Sequence, residues 1–593
     1  MRKWIFGALV GAFGGALAGA LLGLGESGLV TWASAAPDEY WLFLFAVLAY
    51  GLFGAVFGIG SAVLWQLVRG GRATPFELAQ LGAGLGFLPL GLFVTRYHVN
   101  KRIFKEQLNF ASASGIVTHL LILLGVVLAA LLVVGMVRFL YRRAGWAGSL
   151  VGFAVAVGVA TVIGTVAGGG DDDNLKRSAS APSSRPNIIV IVADTLRSDA
   201  VVERAAQSPD GGFSQIMVDS VSFDWAHSQA SWTRPSISSI LTSLYPTEHG
   251  TVHKMDFLPD RVLTVAEALR DAGYWTAGVT TNINVAPIFN LNQGFGEFAY
   301  LEPSFYFGAT DSAAKLVIYK TLRTLRERFF ADRVYYQHFY QDAIVVNDHV
   351  EQWLAGNPPE PFFLFLHYMD PHDPYFEIPY NGRGVARVMN PSPDRSRREE
   401  LHSLYRQGVR YLDEKLGVLW DELRGAGKYD DALIVFTSDH GEEFLDHDGW
   451  WHGTSLYDEV LHVPLIIKLP GGDHAGTRRS DIVRSIDIAP TVMETAGVRV
   501  PASFHGTDIL AKRVEEPIIA EEDLEGNRIF SIRDGQWKLI RANAGNPRGL
   551  DPTELYNVAT DPDETNNLAG THGAKVAELE SKLRAMLPSA SID

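Results

Sequence analysis

Four side chains, widely spaced along the chain, could together carry out metal-assisted ester chemistry. Asp194 ends the apolar run of NIIVIVADTLRSD, Thr233 opens TRPSISSILTSLYPTEHG, and Asp439 and His440 close ALIVFTSDHG. Two carboxylates, one imidazole and one hydroxyl make a mixed nitrogen and oxygen donor set. Such a set suits one divalent ion, Zn2+ or Mn2+ rather than Ca2+. A free threonine hydroxyl is a poor nucleophile at neutral pH. Coordination changes that: for water on Zn2+ the pKa falls from about 15.7 to about 7. The same ion would polarise the ester oxygen under attack.

Thr233 stands two residues ahead of Pro235, which can occupy the first turn of a helix. Ile237, Ile240, Leu241 and Leu244 then recur at helical spacing. A hydroxyl at that helix start faces unpaired backbone N–H groups and the positive end of the helix dipole. The setting favours an alkoxide and an anionic ester docked against it. In isolation, Thr-x-Pro reads as an ordinary N-cap. The acid and imidazole at two other strand ends favour the nucleophile. Histidines add to the set: His440, His447 and His452 in SDHGEEFLDHDGWWHG, and His367 and His372 in FLHYMDPHDPY. Imidazolium can bind a tetrahedral oxyanion, and either form can move a proton to a leaving oxygen. His447 reads as surface filler, Glu442 and Glu443 as a solvated face or as support for metal ligands, and Trp450 and Trp451 as packing.

The elements that must position these groups alternate. NIIVIVA, YWTAGVTTN up to Asn282, PFFLFLHY, ALIVFTSDHG and VPLIIKLP read as buried strands. Thr264 to Glu267 is a capping box, and Leu401, Tyr405, Leu412, Leu416, Leu419 and Leu423 form one helical stripe. Alternation of this kind predicts an α/β fold with a large, mainly parallel sheet covered on both faces. Ligands then bind beyond the C-terminal strand ends, where Asp194, Asn282, His367, Asp439 and His440 all fall. Residues 515–593 change character: RIFSIRDGQWKLIR is a hairpin pattern around Asp534-Gly535. A small antiparallel sheet with a helix is expected there, after a catalytic domain at 187–514.

The chain has 593 residues, a formal charge of −16 and no cysteine. Nucleic acid is excluded as a partner by the lack of a basic domain. Disulfides, thiolate metal sites and a cysteine nucleophile are excluded too. Before a Gly, Ser, Pro and Asp-rich linker at 169–186, residues 1–168 hold five apolar runs, at about 4–24, 41–67, 76–95, 115–137 and 147–167. Each is near the roughly 20 residues needed to cross a bilayer as a helix. A cleaved signal peptide would explain only the first. Arg2, Lys3, Arg69, Arg72, Arg138, Arg142 and Arg143 fall in loops that would be cytoplasmic, which puts everything after 168 outside, on the periplasmic face of the inner membrane in a bacterium. Arg96, Lys101, Arg102 and Lys105 run against this rule, and that loop reads as an amphipathic helix resting on the membrane.

Over 186–593 the residues resemble the sulfatase branch of the alkaline phosphatase superfamily. The resemblance rests on NIIVIVADTLRSD, TRPSISSILTSLYPTEHG, TVAEALRDAGYWTAG, DPHDPY, SDHGEEF, WHGTSLYDEVLHVPLIIKLPG, SIDIAPTVMETAG and ELYNVATDPDETNNLA, in that order. It implies an α/β sandwich around a large sheet with a smaller C-terminal sheet. The formylglycine signature is absent: its register reads Thr233-Arg234-Pro235-Ser236-Ile237, and threonine cannot yield the aldehyde. Thr233 and the Asp439-His440 pair instead resemble membrane-bound phosphoethanolamine transferases and lipoteichoic acid synthases. Those have five spans and a phosphothreonine intermediate. Their first ligand is generally Glu where this chain has Asp194, and the ELYNVATDPDE tail is sulfatase-like. The two resemblances together imply Asp194, Thr233, Asp439 and His440 as metal ligands and Thr233, His452 and His372 as catalytic residues. His452 takes the place of a sulfatase lysine near the ester oxygens, and His372 that of a histidine assisting the leaving group. Asn282 and His367 are expected to contact substrate. The expected activity is phosphoryl-ester transfer or hydrolysis on an envelope lipid or glycan. Two other readings stand beside it: sulfate-ester hydrolysis by an unmodified threonine, and a catalytically silent membrane binding protein.

Overall fold

The computed structural model describes residues 2–32, 40–104, 108–109, 112–166, 185–330 and 335–588. The expected linker lies outside them except for its last two residues. The chain forms two compact units, Met1–Asp172 with Phe305–Arg326, and Asp173–Ser304 with Glu327–Asp593.

In the first unit four helical runs are long and apolar enough to cross a membrane: Arg2–Trp32, Leu42–Val68, Pro75–Arg102 and Ala113–Val166. The last breaks at Gly145, whose φ of +63° ends a helix. Five helices result: α1 (Arg2–Trp32), α2 (Leu42–Val68), α3 (Pro75–Arg102), α4 (Ala113–Ala144) and α5 (Gly148–Val166). α1 and α2 meet backbone to backbone. A Cβ on Gly15 would lie 2.0 Å from the Gly54 carbonyl oxygen, and one on Gly54 2.1 Å from that of Gly15. Small residues let helices approach this closely in lipid. Arg96, Lys101 and Arg102 form the last turns of α3 and not a separate surface helix, because the helical hydrogen bonding of α3 runs through them. Lys105 lies outside the described residues. Phe305–Arg326 joins these helices although it comes from the middle of the later sequence. Its helix, Val317–Leu325, starts where the Val317 N–H donates to Glu26 Oε1 at 2.9 Å and the Ile318 N–H to Tyr50 Oη at 3.1 Å.

The second unit is built on eight strands: β1 (Ile188–Ala193), β2 (Val221–His227), β3 (Trp275–Thr280), β4 (Glu297–Tyr300), β5 (Phe362–Tyr368), β6 (Leu433–Ser438), β7 (His462–Lys468) and β8 (Thr477–Arg484). Their order across the sheet is β8-β2-β7-β6-β1-β5-β3-β4. β7 runs antiparallel to both neighbours and the remaining pairs are parallel. All six residues of β1 are buried, as a strand covered on both faces requires. The helix Arg398–Gly425 places Leu401, Leu412, Leu416 and Leu419 in the same core as Ile189 and Ile191. The last residue of β1, Ala193, is level with Tyr368 of β5 and Ser438 of β6. Asp194 and Asp439 therefore emerge side by side. The C-terminal part adds an antiparallel sheet of β9 (Ile518–Leu524), β10 (Asn527–Asp534), β11 (Trp537–Ala542) and β12 (Thr553–Asn557), covered by the helix Gly573–Met586. Gly535, with φ +59°, makes the turn between β10 and β11.

Candidate active site

Thr233 is the first residue of a ten-residue helix, Thr233–Thr242, whose residues are all buried. The N-cap position belongs to Trp232, which makes no side-chain cap bond. The Thr233 hydroxyl is thus not used for capping. It lies 3.4 Å from Asp194 Oδ2. The next residue, Arg234, fixes this turn. Its guanidinium donates to the carbonyls of His253 and Asp256 and to Asn284 Oδ1, and it sits over the Phe289 ring.

Asp194, Asp439 and His440 converge, with one donor atom from each within 4.8 Å of the others. Each residue has one atom engaged and one turned inward. Asp439 Oδ1 accepts the N–H groups of Thr195 and His440, at 3.3 and 2.9 Å. His440 Nδ1 donates to the Gly441 carbonyl at 2.9 Å, which leaves Nε2 as the acceptor. Asp194 Oδ2 accepts from the Asn282 amide at 2.7 Å. The atoms left over, Asp194 Oδ1, Asp439 Oδ2 and His440 Nε2, are buried without a hydrogen-bond partner among the described residues. Buried polar atoms are normally satisfied, so three converging orphans of these types fit a divalent cation. Burial, reinforced by Asp439, pushes Asp194 up to about 7. Burial alone does the same to Asp439. Burial also lowers His440, which keeps its ring neutral and able to ligate.

Asn282, expected to touch substrate, spends its amide on Asp194 and its Oδ1 on the Asn284 N–H. His367 is fully buried, with Nε2 3.6 Å from Asp194 Oδ2, and neither of its ring nitrogens has a hydrogen-bond partner among the described residues. Burial, helped by His372 and His440, holds its pKa down to about 3. His452 lies over His440 with ring centres 4.6 Å apart, and His372 is 5.1 Å from His452. Burial opposes protonation of His372, but Asp194, Asp373 and Glu442 raise it to about 9. His452 goes the other way: burial, then His440 and His372, push it well below 6.5. These shifts favour a protonated His372 and a neutral His452.

Glu442 and Glu443 are not a solvated face. Both are buried, at 0% and 1% exposure. Glu442 accepts from His452 Nδ1 at 2.9 Å and from the Tyr375 hydroxyl, so His452 presents Nε2 to the site. Glu443 accepts from Arg548 and the Gly449 N–H. Arg387 donates to the His452 carbonyl at 3.1 Å. The sequence signal for Glu442 was its place two residues after His440, a candidate metal ligand. His447 is held elsewhere, with Nδ1 donating to Glu459 at 2.7 Å and its ring stacked on Tyr457.

The sulfatase family profile matches residues 186–498, more than half of the chain. The chain belongs to the sulfatase family. A second profile, the C-terminal region of N-sulphoglucosamine sulphohydrolase, matches residues 446–591. Among curated sulfatase relatives, N-acetylglucosamine-6-O-sulfatase of Bacteroides thetaiotaomicron is 30% identical over 31% of this chain and 34% of its own. Arylsulfatase K of Bos taurus is 30% identical over 32% of this chain. The chain spans about a third of these two relatives, 34% and 37%. Choline-sulfatase of Rhizobium meliloti is 26% identical over 65% of this chain and 83% of its own. The solved phosphonate monoester hydrolase of Agrobacterium radiobacter shares the fold, with a TM-score of 0.52 at 20% identity over 68% of this chain and 96% of its own. This sulfatase-family chain therefore has the expected α/β architecture, with a large mixed sheet, a small C-terminal sheet and apolar N-terminal helices.

Proposed function

We propose that this protein is a membrane-anchored, extracytoplasmic, metal-dependent enzyme that transfers or hydrolyses phosphate esters through Thr233. The observation that carries the reading is the Thr233 hydroxyl, free of capping duty, beside three orphaned ligand atoms. Asp194, Asp439 and His440 would hold one divalent ion, with Thr233 as the fourth donor. When bound, the ion would lower the hydroxyl pKa and polarise the ester oxygen.

The chain's own residues then have distinct tasks. Thr233 Oγ1 bonds to phosphorus as the ester P–O bond breaks. The hydroxyl proton passes to His452 Nε2, and the departing oxygen takes a proton from His372. Water, or a lipid or glycan hydroxyl, next attacks the phosphothreonine. Its proton returns to His372, and Thr233 recovers one from His452. Membrane anchoring favours an envelope lipid or glycan as the acceptor.

Turnover of an aryl phosphodiester and of an aryl sulfate by the purified full chain tests this. Thr233→Ala should abolish phosphodiester turnover, and intact mass should show a phosphoryl adduct on the wild-type chain that the variant lacks. Sulfate release without phosphodiester cleavage would overturn the phosphoryl assignment. Full activity of Thr233→Ala would remove the nucleophile.

A further inference from the structure

The ribbon that follows His372 carries groups that hold both candidate proton-transfer histidines. Its two short strands, Tyr375–Phe376 and Gly384–Val385, pair antiparallel with Tyr375 opposite Val385. That register sets Arg387 across from Asp373, and the Arg387 N–H donates to Asp373 Oδ2 at 2.9 Å. The Asp373 carbonyl accepts from His372 Nδ1 at 2.6 Å, and Asp373 Oδ1 lies 3.5 Å from the same nitrogen. Tyr375 supports His452 through Glu442. The Arg387 guanidinium reaches His452 directly. Nη1 donates to the His452 carbonyl at 3.1 Å, and Nη2 donates to Glu525 Oε2 at 2.9 Å.

Glu525 stands in the two-residue turn between β9 and β10, where Leu524 pairs with Asn527. Its φ is +55° and that of Gly526 is +86°. A turn of this hand favours Asn or Asp at its first position, followed by Gly. Glutamate there holds a backbone conformation that few side chains adopt. Its carboxylate meets Arg387 and also Lys254. The preceding residue, Leu524, packs over Gly453: a Cβ on Gly453 would fall 2.5 Å from Leu524 Cδ2. The C-terminal sheet thus meets the chain at 452–453 twice, once through the Leu524 side chain and once through Arg387.

We propose that Arg387 is a positioning residue for His372 and His452, and that Glu525 of the C-terminal sheet acts on the reaction through it. The inference rests on the proton-transfer roles given to these histidines above. Proton transfer needs heavy atoms about 2.6–3.2 Å apart, and a displacement of about 1 Å costs roughly 100-fold. The two ring centres are 5.1 Å apart, and each ring is held at Nδ1. How far each Nε2 reaches is then set by the backbone that carries the ring. The guanidinium bond to the His452 carbonyl fixes that backbone.

The test is kinetics of the full chain on whichever of the aryl phosphodiester and aryl sulfate it cleaves, beside amide hydrogen exchange over 449–455. Arg387→Gln should lower kcat about 30-fold with KM within about twofold, since losing a charged hydrogen bond costs roughly 10- to 150-fold. It should also speed exchange over 449–455, because the segment loses a tie. Arg387→Lys should recover part of the loss, since an ammonium lacks the fork that spans both partners. Glu525→Gln should lower kcat about fivefold and add nothing in the Arg387→Gln background, because its effect passes through Arg387. Lys254→Gln should leave kcat unchanged. Arg387→Gln with kcat within about twofold of wild type, well under the loss of one charged bond, would overturn the proposal. So would additive losses in the double variant, a Lys254→Gln loss equal to that of Glu525→Gln, or unchanged exchange over 449–455. If the chain cleaves neither ester, or Thr233→Ala is fully active, the function proposed above falls, and the exchange measurement alone decides on Arg387.

Discussion

Glu442 offers the sharpest probe of how the candidate site is held. It is completely buried and accepts two hydrogen bonds, one oxygen to His452 Nδ1 and the other to the Tyr375 hydroxyl. Replacing it with Ala takes the acceptor from both donors, next to a fully buried carboxylate position. A hydrogen bond to a charged group contributes about 1.5–3 kcal/mol, roughly 10- to 150-fold if lost only in the transition state. His452 would also be free to rotate or change tautomer, so the upper part of that range applies to Glu442→Ala. Glu442→Gln should cost less, about tenfold. Its carbonyl can still accept from His452 Nδ1, and its NH2 can donate to the Tyr375 oxygen once the hydroxyl turns. Tyr375→Phe should cost less still, because the carboxylate keeps His452. Steady-state kinetics on an aryl phosphodiester would separate the three. kcat should fall in that order with KM nearly constant, because substrate binding does not pass through Glu442. If Glu442→Ala lies within twofold of wild type with its far-UV spectrum intact, Glu442 does not position His452 and the proton-transfer assignment fails.

Three further outcomes follow from buried charge and close packing. Asp487→Ala should destabilise the second unit by about 3 kcal/mol, since it removes the buried carboxylate held 2.8 Å from Arg484 and leaves that buried guanidinium only the exposed Glu516 as an acidic partner; a loss under 1 kcal/mol in urea unfolding would contradict this. His447 is raised to about 9 because Glu459 outweighs burial. Its folded pKa lies above the unfolded value of about 6.5, so its contribution is complete below pH 6.5 and is lost as pH rises through 9. Tm should therefore fall over that window, and His447→Gln should flatten the fall; an unchanged profile would discount the pair. Gly15→Val should abolish a monodisperse peak in detergent, because its Cβ collides with the Gly54 carbonyl; a normal elution profile would show that α1 and α2 can separate without loss.

The strand ends were legible in the sequence because a strand buried on both faces writes itself as an unbroken apolar run. Asp194 and Asp439 each close one, and the register of β1 with β6 does the rest. Thr233 was legible as a helix start, but its cap residue was not. Trp232 has no capping side chain, and only the backbone shows that the threonine begins the helix itself. Glu442 and Glu443 looked like surface because two adjacent acids in a loop usually are. Their burial depends on Tyr375 and Arg548, about 70 and 100 residues away. Phe305–Arg326 could not be told from its neighbours for the same reason: its partners, Glu26 and Tyr50, lie nearly 300 residues earlier.

That inserted segment means the protein cannot be cut cleanly after its apolar N-terminal helices. Ribosomes make the apolar N-terminal helices first, and their assembly is unfinished until residues translated much later return to cover them. A secreted fragment starting near residue 187 would carry Leu316, Val317, Ile318 and Tyr319 with nothing to shield them. Such a fragment should clump or cling to vesicles, and trimming residues 305–326 from it should restore its solubility.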